Sequence, residues 1–146
     1  MSGGLTPAAL MTKAVRACAS ARILLDLNDV DGACNRAYYA MFDSARAALL
    51  ASKAPVPPDI GKTHGGLITA FSQHLVKNGP VPKEIGRLLK RAEEIRLVAD
   101  YRGDSVELAD AREMVEQAEQ AERFVEAMRH VWMPDRLANP NQPDLP

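Results

Sequence analysis

Aromatic residues are scarce in this sequence, at 5% of 146 positions, and cysteine occurs twice. No stretch approaches the roughly 20 apolar residues that a membrane span needs. Charge of one sign is not in excess either: 18 bases face 19 acids, for a net charge of −1. Each scarcity excludes something. Few aromatics argue against a strand-rich fold. Two cysteines exclude a disulfide scaffold, so Cys18 and Cys34 are expected as small buried thiols, a lone disulfide or a reactive thiol being the alternatives. Near-neutrality argues against a protein that coats nucleic acid indiscriminately. The first residues, MSGGLTPAALMTKAV, lack the apolar run of a secretory signal, so a soluble, cytoplasmic chain without membrane association is expected.

What is abundant is alanine, with 23 residues, the best helix former. A composition of 47% hydrophobic and 25% charged residues fits one soluble globular domain. Helix punctuation is clear. Thr6-Pro7 places a capping hydroxyl before a proline at the first helical position, and a first helix is expected over 7–27. Asp31 is expected to cap a second helix ending near Ser52, with Cys34, Tyr38, Met41, Phe42, Ala45 and Leu49 at helical steps. Prolines exclude helix from the loop 53–62. Thr63 can cap a third helix over 64–77, and Pro82 opens a fourth that closes at Gly103. Asp104 to Glu107 resembles a capping box for a fifth helix, which carries Ala111, Met114, Ala118, Ala121, Val125 and Trp132 inward. The expected fold is all-α: an up-and-down four-helix bundle with one additional short helix, filling residues 1–133. Residues 134–146, with four prolines, are expected to be a disordered tail.

Several chemical readings fail on spacing. Gly61-Lys62-Thr63 looks like the end of a phosphate-binding loop, but the first glycine of that motif would fall at Val56 and no strand precedes it. No glutamate has a histidine three residues later, as a two-metal bundle site would require. No metal or cofactor is therefore expected. Lys83, Arg87, Lys90 and Arg91 recur at helical steps and predict one positive stripe, either a solvated face with a Lys90–Glu94 pair or a phosphate contact. Two polar clusters remain: Arg96 with Asp100 and Tyr101, and Asn35-Arg36-Ala37-Tyr38-Tyr39. An arginine beside an apolar stripe needs a partner, and Asp100 at i+4 is available. By pattern these clusters form either an interhelical polar network or a functional pocket.

The run Asn35 to Phe42, then Lys62-Thr63-His64 with Phe71, then Arg96 with Asp100-Tyr101, resembles the HEPN domain. It is most similar to small stand-alone HEPN proteins with an Arg-x-x-x-Asp-Tyr signature, over roughly residues 8–132. The resemblance implies a helical bundle that forms a homodimer and a site near the end of the penultimate long helix. It also implies RNA or a nucleotide-related ligand and, in many members, metal-independent ribonuclease activity. In some the protein is the toxin of a toxin–antitoxin pair whose partner is a minimal nucleotidyltransferase. The family's ribonuclease motif is an arginine followed by a histidine. Here Arg96 matches the arginine, while Tyr101 stands where the histidine belongs. By the resemblance, Arg96 holds phosphate, Asp100 orients it and Tyr101 donates a hydrogen bond. Asn35, Arg36, Tyr39, His64, Lys90 and Arg91 are the expected substrate contacts. His64 is either an acid–base group from elsewhere in the chain or a packing residue. The alternative reading is a non-catalytic module that docks a nucleotidyltransferase or another protein.

Charge is segregated along the chain. Residues 60–103 hold eight bases and four acids, while residues 104–146 hold four bases and ten acids. The basic block contains Arg96, which places the expected phosphate site there.

Overall fold

The computed structural model describes residues 6–101 and 106–133, without the side chains of residues 98–101. Among them are four long helices and one short one, and no strand: α1 Pro7–Asp26, α2 Val30–Ala51, α3 His64–Phe71, α4 Lys83–Tyr101 and α5 Leu108–Trp132. The expected closure at Gly103 and the tail from residue 134 lie outside the described residues. No helix among the described residues is long and apolar enough to cross a membrane.

The helix ends follow from local chemistry. Thr6 Oγ1 accepts from the Ala9 amide at 3.1 Å, ahead of Pro7. Thr63 Oγ1 does the same for Gly66 at 3.1 Å and opens α3. Such caps are each worth about 1 kcal/mol. Two expected caps are corrected. Asp29, not Asp31, caps α2, accepting from the Gly32 amide at 3.0 Å. Asn28 takes the left-handed conformation (φ 63°) and turns the chain early enough to leave Asp31 inside the first turn. At the start of α5, Glu107 flanks the helix instead of lying within its first turn and makes no side-chain cap bond; Asp104, the other half of the expected capping box, lies outside the described residues. The third helix has the expected limits, but its last six residues, Ser72–Lys77, wind as π-helix.

Helix α2 is the centre of the bundle and packs against α1, α3, α4 and α5. Seven of its alanines are buried, from Ala33 to Ala51. Small side chains let neighbouring helix axes approach closely. Alanine abundance and aromatic scarcity are thus one packing solution. Leu10, Leu25, Leu49, Leu67, Phe71, Met114, Val115 and Val125 fill the spaces between. Cys18 and Cys34 are buried free thiols, as expected. Burial pushes them up to about 12 and about 11, and nearby carboxylates add to the shift. Such surroundings disfavour the thiolate, the reactive form of cysteine.

Candidate functional site

The site lies where α2, the start of α3 and the later part of α4 meet. Tyr38 is fully buried, on the side of α2 that the helical period turns inward. Thr63 fixes the first turn of α3, which carries His64 into the aromatic residues of α2. The His64 ring centre is 4.7 Å from that of Phe42, 5.5 Å from Tyr38 and 5.9 Å from Tyr39. Arg96 of α4 closes the group. Its guanidinium carbon stands 4.9 Å from the centre of the Tyr38 ring, within cation–π range. Its Nη2 lies 3.3 Å from Nδ1 of His64.

That contact defines the state of the histidine. A guanidinium has no acceptor, so Nδ1 accepts and the ring proton sits on Nε2. An imidazole that accepts this bond is neutral. Burial, then the charge of Arg96, hold its pKa below the ordinary histidine value, while Glu93 pulls the other way. Burial pushes the Tyr38 phenol up to about 12, with a further push from Glu93. Arg96 partly offsets this, but the Tyr38 hydroxyl reaches no hydrogen-bond geometry with any described residue. An arginine, a neutral imidazole and a buried phenol therefore share one small volume. Phosphate recognition by the first and proton movement by the second are within their ordinary chemistry.

Basic hollows flank this centre. Between α3 with its π-helical end and α4 runs a groove of about 990 Å³, lined by Lys77, Lys83, Lys90 and Glu93 among others. Between α1 and α2 lies a second hollow, of about 500 Å³, which includes Arg36 and Tyr39.

The expected site residues are thus distributed unevenly. Arg96, His64 and Tyr39 come together. Arg36 lines the α1–α2 hollow and Lys90 the α3–α4 groove. Asn35 is half-buried on α2 and lines neither. The side chains of Asp100 and Tyr101 lie outside the described residues. The single stripe on α4 is corrected: Lys83 and Lys90 line the groove, whereas Arg91 points to α5, 4.0 Å from Glu113. A helix of 3.6 residues per turn separates adjacent positions by about 100°, which lets Lys90 face the groove while Arg91 turns to α5. No Lys90–Glu94 ion pair forms among the described residues. Tyr38, Phe42 and Glu93 belong to the site and were not among its expected residues. The signal for Tyr38 was a hydroxyl on an apolar stripe, which leaves a polar group without an assigned partner.

A helical bundle with an arginine–imidazole pair over an aromatic wall is the class these elements define. Residues 8–131 match the model of the HEPN domain, and the chain belongs to that family. It is 44% identical to a UPF0332 protein of Gloeobacter violaceus over 94 residues, covering 64% of this chain and 71% of the relative. It is 34% identical to a UPF0332 protein of Thermotoga maritima over 108 residues, covering 74% and 76%. A protein of Methanocaldococcus jannaschii whose name marks it as a candidate toxin is 31% identical over 124 residues, covering 84% and 89%.

Proposed function

We propose that this chain is a toxin-type HEPN protein that binds RNA at Arg96 and cleaves it with His64 as the proton carrier. The observation that carries the reading is the 3.3 Å contact between Arg96 Nη2 and His64 Nδ1. It supplies an imidazole beside the arginine, although Tyr101 stands at the histidine position of the motif. The resting pair is self-inhibited, because Nδ1 is occupied. A phosphodiester offers Arg96 a charge-assisted, bidentate partner that a neutral imidazole cannot match. Turning to it, Arg96 frees Nδ1, and the incoming negative charge favours protonation of His64. Nδ1 takes the proton of the ribose 2′-hydroxyl, and the 2′-oxygen attacks phosphorus. The bond to the 5′-oxygen breaks, and the proton held by His64 passes to it. The products are a 2′,3′-cyclic phosphate and a 5′-hydroxyl. Arg96 stabilises the charge that builds on the phosphoryl oxygens.

The relative named as a candidate toxin supports the toxin role. In that role the chain acts as a homodimer, restrained by a nucleotidyltransferase partner. The test is incubation with total RNA in EDTA, with wild type beside Arg96→Ala and His64→Ala. Cleavage lost in both variants supports the mechanism. RNA bound at all concentrations without cleavage makes the chain a binding module instead.

A further inference from the structure

The hollow between α1 and α2 is lined by Lys13, Arg16, Arg36 and Arg46, with Asp43 and Tyr39. Four cations thus face one carboxylate. None of the four makes an ion pair with any described residue, whereas Arg22, Arg91 and Arg129 elsewhere each have a glutamate partner. Burial pushes the Asp43 carboxyl above its ordinary value, against the pull of Lys13 and Arg46. Like charges that outnumber their counter-ions repel, and a bound anion relieves that repulsion.

The hollow is also built rather than merely exposed. Gly61 adopts φ +107°, which side-chain-bearing residues rarely take, and brings the 53–62 loop onto Arg46. A Cβ at Gly61 would sit 3.2 Å from Cδ and Nε of Arg46. The arginine stem is clamped there, and its Nε is buried without a hydrogen bond to any described residue. One wall is aromatic: Tyr39 and Phe42 line the hollow, and both rings also touch His64. Cations for a phosphate and a ring for a base are the two parts of a single-strand binding site. The hollow is one ring away from the Arg96–His64 pair.

We infer that the α1–α2 hollow is a second nucleotide subsite, holding the RNA nucleotide next to the scissile one with its phosphate on Arg16, Arg36 and Arg46 and its base against Tyr39. This rests on the reading of the chain as an RNA-binding protein. A nucleotide unit could come from RNA or from a free mononucleotide, and the experiment separates the two. A labelled single-stranded oligoribonucleotide of about ten units, within the span such sites cover, is titrated onto the full chain carrying Arg96→Ala, followed by anisotropy. Arg16→Glu with Arg36→Glu weakens binding about tenfold or more and flattens its salt dependence. The matched reversal on α5, Arg112→Glu with Arg123→Glu, changes it less than about twofold, since long-range fields are screened. Tyr39→Leu weakens binding about 5- to 100-fold, the range of base–aromatic stacking, and Tyr39→Phe restores it. Circular dichroism verifies that each variant folds.

Equal affinities for the two double reversals overturn the assignment. So does competition by adenosine monophosphate at concentrations equal to those of the oligonucleotide, which would make this a free-nucleotide site. Cleavage is scored separately on chains with Arg96 intact. RNA held through the hollow yet never cut sinks the cleavage reading and leaves the subsite. Cutting that ignores both Tyr39→Leu and the Arg16/Arg36 reversal sinks the subsite alone.

Discussion

Helices α2 and α4 have similar lengths, 22 and 19 residues, and opposite characters. α2 buries thirteen residues and touches every other helix. α4 buries Ile85, Leu89 and Ala92 among its described side chains and spends most of its remaining surface on charge. The site sits on the seam between them. α2 supplies a rigid aromatic wall, α4 supplies the arginine, and the first residue of α3 is wedged between. Stability and chemistry are thereby divided by burial: changes on the buried face of α2 act on folding, while changes at Arg96 of α4, and at Arg36 and Tyr39 on the outer face of α2, act on the substrate.

The sharpest way to test that division is Arg96→Ala. Removing one donor to a developing oxyanion typically costs about 100- to 1,000-fold in rate. RNA cleavage should fall by that order, while the urea midpoint moves little. The mirror experiment is Leu49→Ala on α2. Leu49 is fully buried, so the loss of its side chain should cost about 2–5 kcal/mol in unfolding free energy. Cleavage by the fraction still folded should be unchanged.

Tyr38→Phe tests one of the places where α2 leaves a buried polar atom unsatisfied among the described residues, Ser44 and Arg46 being the others. The Tyr38 hydroxyl is buried without a hydrogen bond, and deleting such a group leaves stability unchanged or raises it by up to about 1–3 kcal/mol. A large destabilisation would mean that the hydroxyl has a partner. A pH prediction follows from His64, whose pKa is lowered in the folded state. Below an unfolded value near 6.5 the unfolded chain takes up the proton first. Stability should therefore fall as pH drops through that value, until the folded imidazole is also protonated. His64→Gln should abolish this component of the pH profile. The smallest effect is expected at the Arg22–Glu119 pair joining α1 to α5, with contacts of 2.6 and 3.3 Å. It is partly exposed to solvent, so Arg22→Ala should cost under about 1 kcal/mol in a denaturation series.

Much of the fold was legible because it rests on local chemistry. Thr6, Pro7 and Thr63 announce helix starts wherever they occur in such patterns, and the apolar steps of α2 and α5 show which faces turn inward. The errors were local too. Choosing between Asp29 and Asp31 as a cap depends on where Asn28 turns the chain, and a π-helical segment has the same apolar stripe as an α-helical one. Arg96 stood out because a charged residue beside an apolar stripe needs an explanation. Its pairing with His64 did not, since 32 residues and one interhelical connection separate them and no local pattern encodes that distance. The α1–α2 hollow was hidden for the same reason. Lys13 and Arg16 look like an ordinary solvated face until α2 brings Arg36, Arg46 and Tyr39 beside them.

The central claim is that burial and Arg96 together hold His64 neutral until phosphate draws Arg96 away. Titration of the His64 ring by NMR tests this directly, in the free protein, in Arg96→Ala, and with a single-stranded oligonucleotide lacking the attacking 2′-hydroxyl. The account predicts a pKa below the ordinary histidine value in the free protein, and a rise both on removing Arg96 and on adding the oligonucleotide. A His64 that titrates at its ordinary value, indifferent to both changes, would contradict it.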